Sequence, residues 1–440
     1  MHRRSWISPE RWRKTAGATL GLALSAVAVG ALAQPLAQTS PQASAPTPLK
    51  PDAPTLRMVF DAAWARQPEA AALSARREAA QAQQRAAKSW TPEPVSIELT
   101  AKTDALTRKL GMREYVGGVA IPLWLPGERH RSQSLAEADG RALESRTNAA
   151  QLRVAAAVRD AWWQAQRARA DASSARAQLD NARRIAADVG KRLKAGDLAQ
   201  ADQHQADGAV ATAEAAAAQA EAALDVARQA LRTLVALPGL ALDTDPTALG
   251  TEADPAAAAM TDLDTHRELL ALKDRASVAE GTVALAATQS RANPELMIGT
   301  TRDRSASGDA WQQTVTLGVR IPWGAGPRFD ARTATARAEA IELQAQLALE
   351  RARLAGEREA ARARSDGARA QLAAAERRAQ LARETRGFFD KSFRLGETDL
   401  PTRLRIEAEA AEAERQAARA RIELAAALSS WRQALGWLPQ

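Results

Sequence analysis

The chain has 440 residues, no Cys, 11 Trp, one Tyr and a formal charge of +8. Its hydrophobic share is an ordinary 46%, but Ala supplies most of it, which argues against a thick globular core. It argues for long, closely packed helices, because Ala is the best helix former and lets backbones approach. Without Cys there is neither a disulfide framework nor a thiol nucleophile.

At the start of the chain, Arg3, Arg4, Arg11, Arg13 and Lys14 make a basic segment, Ala16 to Gly30 an apolar run, and Ala31-Leu32-Ala33 a small-x-small cleavage signature before Gln34. Residues 1–33 therefore read as a cleaved export signal. Cleavage removes five basic residues and Glu10, and with them four of the eight net positive charges. The mature chain is only modestly basic, so no nucleic-acid partner is expected. The lack of Cys also predicts no lipid-anchored N-terminus. Residues 34–54 are rich in Pro, Ser, Ala and Gln and read as a flexible leader.

Beyond the leader the chain repeats itself. VAIPLWLPGERH begins at Val119 and VRIPWGAGPRFD at Val319. Pro94 and Pro294, Gly118 and Gly318, the Ile-Pro pairs at Ile121 and Ile321, and Gly196 and Gly396 all keep a 200-residue offset. The halves close on LPG at Leu237 and LPQ at Leu438, one residue out of step. Matches within Ala/Arg tracts mean little, so the Pro and Gly landmarks carry the duplication. The expected domains are a first repeat over 55–240, a linker over 241–262 and a second repeat over 263–440.

Each half follows one plan. A helix over Leu56–Lys88, or His266–Gln289, leads to a proline-marked break. Two short β runs follow. Val95, Ile97 and Leu99 alternate with Ser96, Glu98 and Thr100, and Val315, Leu317, Val319 and Ile321 alternate with Thr314, Thr316, Gly318 and Arg320. This period of two gives each strand an apolar and a polar face. The partner runs are Glu114–Ile121 and Glu295–Thr301, joined by the polar loops KTDALTRKLGM and RDRSASGDAWQQ. Long helices follow over Arg129–Lys194 and Arg328–Arg394, each about 100 Å at ~1.5 Å per residue. Gly196 and Gly396 then turn the chain into a return helix. Continuous Leu heptads are missing, which favours tight small-residue packing of many helices over a two-stranded zipper.

Strands of this length suit a tilted crossing of a bilayer. A four-stranded open sheet cannot cross one, because its edge N–H and C=O groups would find no partner in hydrocarbon. Several chains must then close one barrel: two copies would give eight strands, three would give twelve. The aromatics fit such a barrel, with Trp90, Trp124 and Trp323 at one edge of the strands and Tyr115 and Trp311 at the other.

The doubled plan of helix, hairpin, long helix, glycine turn and return helix resembles the TolC-type outer membrane efflux channels, over about Leu56 to Leu438. The most specific pieces are the turns AGDLAQAD (Ala195–Asp202) and LGETDLPT (Leu395–Thr402). They look like the family's glycine-then-polar turn with an Asp six residues on. Asp202 matches that Asp and Thr402 departs from it. IPLWLPGER is similar to the segment leading into the long helix of the CzcC-like heavy-metal branch, although many such relatives carry a lipid-anchored Cys. The resemblance implies a mainly α fold with a small β part: an α-barrel tunnel of duplicated helical hairpins beneath a trimeric 12-stranded β-barrel. It further implies a homotrimer in outer membrane lipid, with a large periplasmic part. The tunnel would meet a periplasmic adaptor and, through it, an inner-membrane pump of the resistance-nodulation-division type. The channel would then export heavy-metal cations or drugs.

A passive duct needs no covalent chemistry. The chain shows no P-loop, no HExxH and no cofactor motif, so no enzyme is expected. His2, His130, His204 and His266 are scattered and suggest no metal site. Function is expected at the tunnel tip. Gly196 and Gly396 would supply the turns, Leu198, Leu395 and Leu400 apolar spots for an adaptor, and Asp202 the turn's acidic position. Asp188, Glu384 and Asp390 could form pore-facing acidic rings, with Arg386 and Arg394 as ion-pair partners. The rival readings are a periplasmic adaptor, disfavoured by two hairpins and no β-rich frame, and a coiled-coil structural protein, which leaves the duplicated strands unexplained.

Overall fold

The computed structural model describes residues 55–107, 109–235, 252–255, 262–323 and 326–440. The expected signal segment (1–33), the leader (34–54) and most of the 241–262 linker lie outside the described residues.

The first helical stretch is three pieces: α1 (Leu56–Ala65), α2 (Pro68–Ala71) and α3 (Leu73–Ala87). The sequence reading of one continuous helix is corrected here. Pro68 forces Gln67 into extended backbone (ψ 140°), because the ring excludes helical geometry in the preceding residue. Thr55 caps α1, its hydroxyl accepting from the Met58 N–H. Leu56, Val59, Phe60 and Ala63 then form one buried stripe at helical spacing.

β1 (Ser96–Thr103) and β2 (Arg113–Pro122) follow, then α4 (Glu128–Ala195) and α5 (Gln200–Val235). The second half holds α6 (Arg267–Thr288), β3 (Glu295–Arg304), β4 (Gln312–Arg320), α7 (Gly326–Arg394) and α8 (Leu400–Ala434). With 68 and 69 residues, α4 and α7 each run about 100 Å. β3 extends to Arg304, three residues into the loop expected from sequence. Those residues are held by pairing with Arg113, Glu114 and Tyr115.

α4 packs antiparallel to α5, and α7 to α8, while α6 lies between α4 and α7. The largest apolar cluster sits where α1, α4, α5 and α8 meet, around Phe60, Val158, Trp162, Trp163, Leu231 and Ile422. Along part of the α7–α8 seam the contacts are alanine alone, as at Ala379, Ala413 and Ala417. Small side chains bring the helix axes close. Charged pairs lace the flanks, among them Arg167–Glu423 and Arg419–Asp171 between α4 and α8, and Arg176–Glu221 and Arg183–Glu214 between α4 and α5. These seams explain a core that is long and thin. No described helix is long and apolar enough to cross a membrane.

The strands form one antiparallel sheet in the order β1-β2-β3-β4. Among the described residues, no helix packs extensively against either of its faces.

Candidate functional site

Strand register sorts the sheet into two faces, since directly opposed residues point the same way. Ile97 opposes Val119, Val119 opposes Ile298, and Ile298 opposes Leu317. Leu99, Gly117, Thr300 and Val315 make the next row on that face, and Ile121, Leu296 and Val319 the row before it. The other face carries Glu98, Thr100, Lys102, Glu114, Thr301, Asp303, Thr314 and Thr316. All four strands therefore contribute most of their large apolar residues to a single face, with Val116 and Met297 on the other, and that face is bare: Leu99 is 83% exposed and Leu317 72%. A soluble sheet would bury it. β1 and β4 are open edges among the described residues. Gly118 and Gly299 oppose each other in the two central strands, where a Cβ on Gly299 would meet the Gly117 carbonyl at 3.4 Å.

The aromatics flank this face. Tyr115 and Trp311 stack at the loop end (5.8 Å between centroids). Trp90 and Trp323 are exposed beyond the helix end, while Trp124 is partly buried there. The joint from β2 into α4 is tied by a buried carboxylate. Glu128 accepts from the Leu125 N–H (2.9 Å), the Gln289 amide (2.7 Å) and the Asn293 amide (2.8 Å), holding both halves together where strand becomes helix.

At the far end of the helices both expected glycine turns are present. Gly196 (φ 85°) and Gly396 (φ 78°) close α4 and α7, with Asp197 N–H donating to Arg192 and Glu397 N–H to Ser392. This paired bonding needs a left-handed residue, hence glycine. Asp202 reaches back to accept from the Ala199 N–H at 2.9 Å, capping α5. Where Thr402 replaces the Asp, Asp399 takes the N-cap position of α8 without a side-chain bond. Leu400 is buried, in a cluster with Ile185, Val189, Ala206 and Phe393, against which Leu198 packs. Its expected role as a surface spot is corrected. Of the three leucines, Leu395 is the one presented outward, at 75% exposure.

The acidic candidates separate. Arg403 pairs with Asp390 (2.9 Å) and with Asp188 (3.6 Å), bridging the two hairpins. Arg394 also pairs with Asp390, and Arg192 with Asp188. Both Arg192 and Arg403 lie over the Phe393 ring, at 4.7 and 4.5 Å. This cluster lines one end of a groove of about 1300 Å³ between the hairpins. Glu384 is not part of it and accepts from Gln380, while Arg386 turns to Glu414.

Residues 59–237 match the model of the outer membrane efflux protein family. The whole fold is similar to that of the outer-membrane channel OprN (TM-score 0.70, 21% identity, 88% of this chain and 90% of that one covered). It is also similar to CusC (TM-score 0.70, 17% identity, 87% and 92% covered). VceC from Vibrio cholerae gives a TM-score of 0.65 at 17% identity, with 87% and 96% covered. No curated protein sequence matches the chain.

Three features escaped the sequence reading. Arg403 and Phe393 sit beside the expected tip residues, but nothing in an Arg-rich helix distinguishes a bridging Arg from a solvated one. Glu128 is one Glu among many. Glu252 lies within the expected linker, yet it is buried between Arg159 (2.6 Å) and Arg432 (3.3 Å), one from each half. Asp243, Asp245, Asp254 and Asp262 share that segment, so nothing in the sequence marked Glu252 out from them.

Proposed function

We propose that this protein is the outer membrane channel of a tripartite efflux system. The observation that carries the reading is the four-stranded sheet with one bare apolar face and two open edges. Such a sheet satisfies its backbone in lipid only if its edges pair with other copies. Three copies would close twelve strands, with the Ile97–Leu317 face toward lipid, the Glu98–Thr316 face toward the lumen, and Gly118 and Gly299 easing curvature on the lumenal side. The paired long hairpins then continue as a periplasmic tunnel. It is a passive, non-enzymatic duct without a cofactor. The Asp188–Arg403–Asp390 cluster supports a constriction at the tip, and exposed Leu395 beside the glycine turns supports docking of a periplasmic adaptor, coupled to an inner-membrane pump. Heavy-metal cations or drugs are the cargo classes this reading carries, and the CzcC-like branch rests on IPLWLPGER alone.

The chain lacks Cys, so single pairs can be introduced cleanly. Thiols placed at alternate positions of β1 and β4 should crosslink between chains into a trimer in the outer membrane fraction. A soluble monomer, or crosslinks only within one chain, would defeat the proposal.

A further inference from the structure

At the loop end of the sheet the apolar face changes character. Register places Arg113 directly opposite Arg304, and Arg302 directly opposite Tyr115, on the same face as Ile97 and Leu317. Arg302 and Arg304 both lie against Trp311, with guanidinium carbons 5.2 and 5.1 Å from the ring centroid. Trp311 is itself stacked on Tyr115. Like charges directly across a strand pair repel, yet none of the three guanidiniums makes an ion pair among the described residues. Of the nearby carboxylates, three are committed elsewhere. Glu114 pairs with Lys102 at 2.9 Å on the opposite face, Asp303 points to that face by register, and Asp104 accepts from the Leu110 and Gly111 N–H groups. The Arg304 Nε is buried with no hydrogen-bond partner. The two hairpin loops also brace each other, Ser307 N–H donating to the Leu110 carbonyl at 2.7 Å.

Two guanidiniums without an ion pair on an aromatic shelf, with a third Arg directly across the strand pair from one of them, at the rim of a bare apolar face, call for a multivalent anion attached to something apolar. We infer that Arg113, Arg302 and Arg304 bind the phosphorylated glycolipid headgroup of the outer leaflet. The forked guanidiniums would hold phosphate oxygens, and the acyl chains would lie along Ile97, Leu99, Val315 and Leu317. The inference rests on the membrane-channel reading and deepens it. It assigns a lipid ligand to the outward face, one site per chain.

The test uses the full-length protein in detergent, titrated with a diphosphorylated acylated glucosamine disaccharide, with its dephosphorylated form, and with inorganic phosphate. Binding is read by native mass spectrometry and by the shift in melting temperature. The phosphorylated glycolipid should bind at least about tenfold more tightly than the dephosphorylated one, since each hydrogen bond to a charged group contributes of that order. The triple variant R113Q/R302Q/R304Q should lose that preference. A triple Arg→Lys variant should recover part of it, and Arg320→Gln at the opposite end should leave it intact. Equal binding of the two glycolipids, or an unchanged triple variant, overturns the inference. So does full competition by millimolar inorganic phosphate, which would mark a free-anion site. Outer membrane fractionation of the same samples separates the two levels: a membrane-inserted oligomer without headgroup preference overturns this inference alone, and a soluble protein overturns both.

Discussion

Replacing Glu252 by Gln removes the carboxylate that Arg159 and Arg432 share. Glu252 is 6% exposed, Arg159 3% and Arg432 2%. The Arg159 fork meets both carboxylate oxygens, at 2.6 and 3.1 Å, and the Ser429 hydroxyl donates to the same group. Burial pulls the Arg432 pKa down from its ordinary value, and the charge of Glu252 opposes that pull. Breaking a buried pair by removing one partner costs about 3–5 kcal/mol, chiefly because a charge is left without compensation. Gln keeps one acceptor. Arg159 also retains the Gln433 side chain and the Trp437 carbonyl (3.1 Å), and Arg432 retains the Ala253 carbonyl (3.1 Å). Those remaining partners put Glu252→Gln near the lower end, about 3 kcal/mol, and Glu252→Ala near about 5 kcal/mol. Urea unfolding followed by far-ultraviolet circular dichroism in detergent measures the loss. A Glu252→Gln/Arg432→Met double variant should be less destabilised than the sum of its single changes, by about 1 kcal/mol or more. A single-variant loss under about 1 kcal/mol, or strict additivity in the cycle, would refute the claim that this carboxylate staples the two halves.

Leu317→Arg places a charge on the bare face and should cost about 2–4 kcal/mol of membrane-inserted stability, whereas Thr316→Arg on the opposite face should be tolerated. Equal trimer yields for the two would show that the faces are assigned wrongly. Arg403→Ala frees Asp188 and Asp390 from each other and should raise channel conductance in planar bilayers; conductance and cation selectivity identical to wild type would remove the tip cluster from gating. Buried His266 has a pKa pushed below 6.5, mainly by desolvation, with the Gln433 backbone and Glu350 acting in the opposite sense. The folded state then binds fewer protons than the unfolded one. This contribution is therefore full above about pH 6.5 and is lost as pH falls through the lower folded value. His266→Gln should flatten that slope in melting temperatures taken between pH 7.5 and 5, and an unaltered slope would exclude the residue as its source.

The plan of this protein was legible in its sequence because it is written in local signals. Prolines and glycines at a fixed offset, alternation in Val315–Ile321, and Ala-rich tracts each act through backbone geometry or a two- or three-residue period. The two long helices, the glycine turns and the two-faced strands need nothing further. Register was a tertiary decision. The alternation at Ile97 and at Leu317 does not say that both fall on one face with Val119 and Ile298, and that shared face is what makes the sheet unfit for water. The charged contacts were tertiary too. With Arg and Glu at so many positions, burial and distance alone separate the Glu252 staple, the Glu128 joint and the Arg403 bridge from their solvated neighbours, because the worth of a charge pair depends on how much water it has lost. Sequence fixes which groups carry charge, and packing decides which of them are dry.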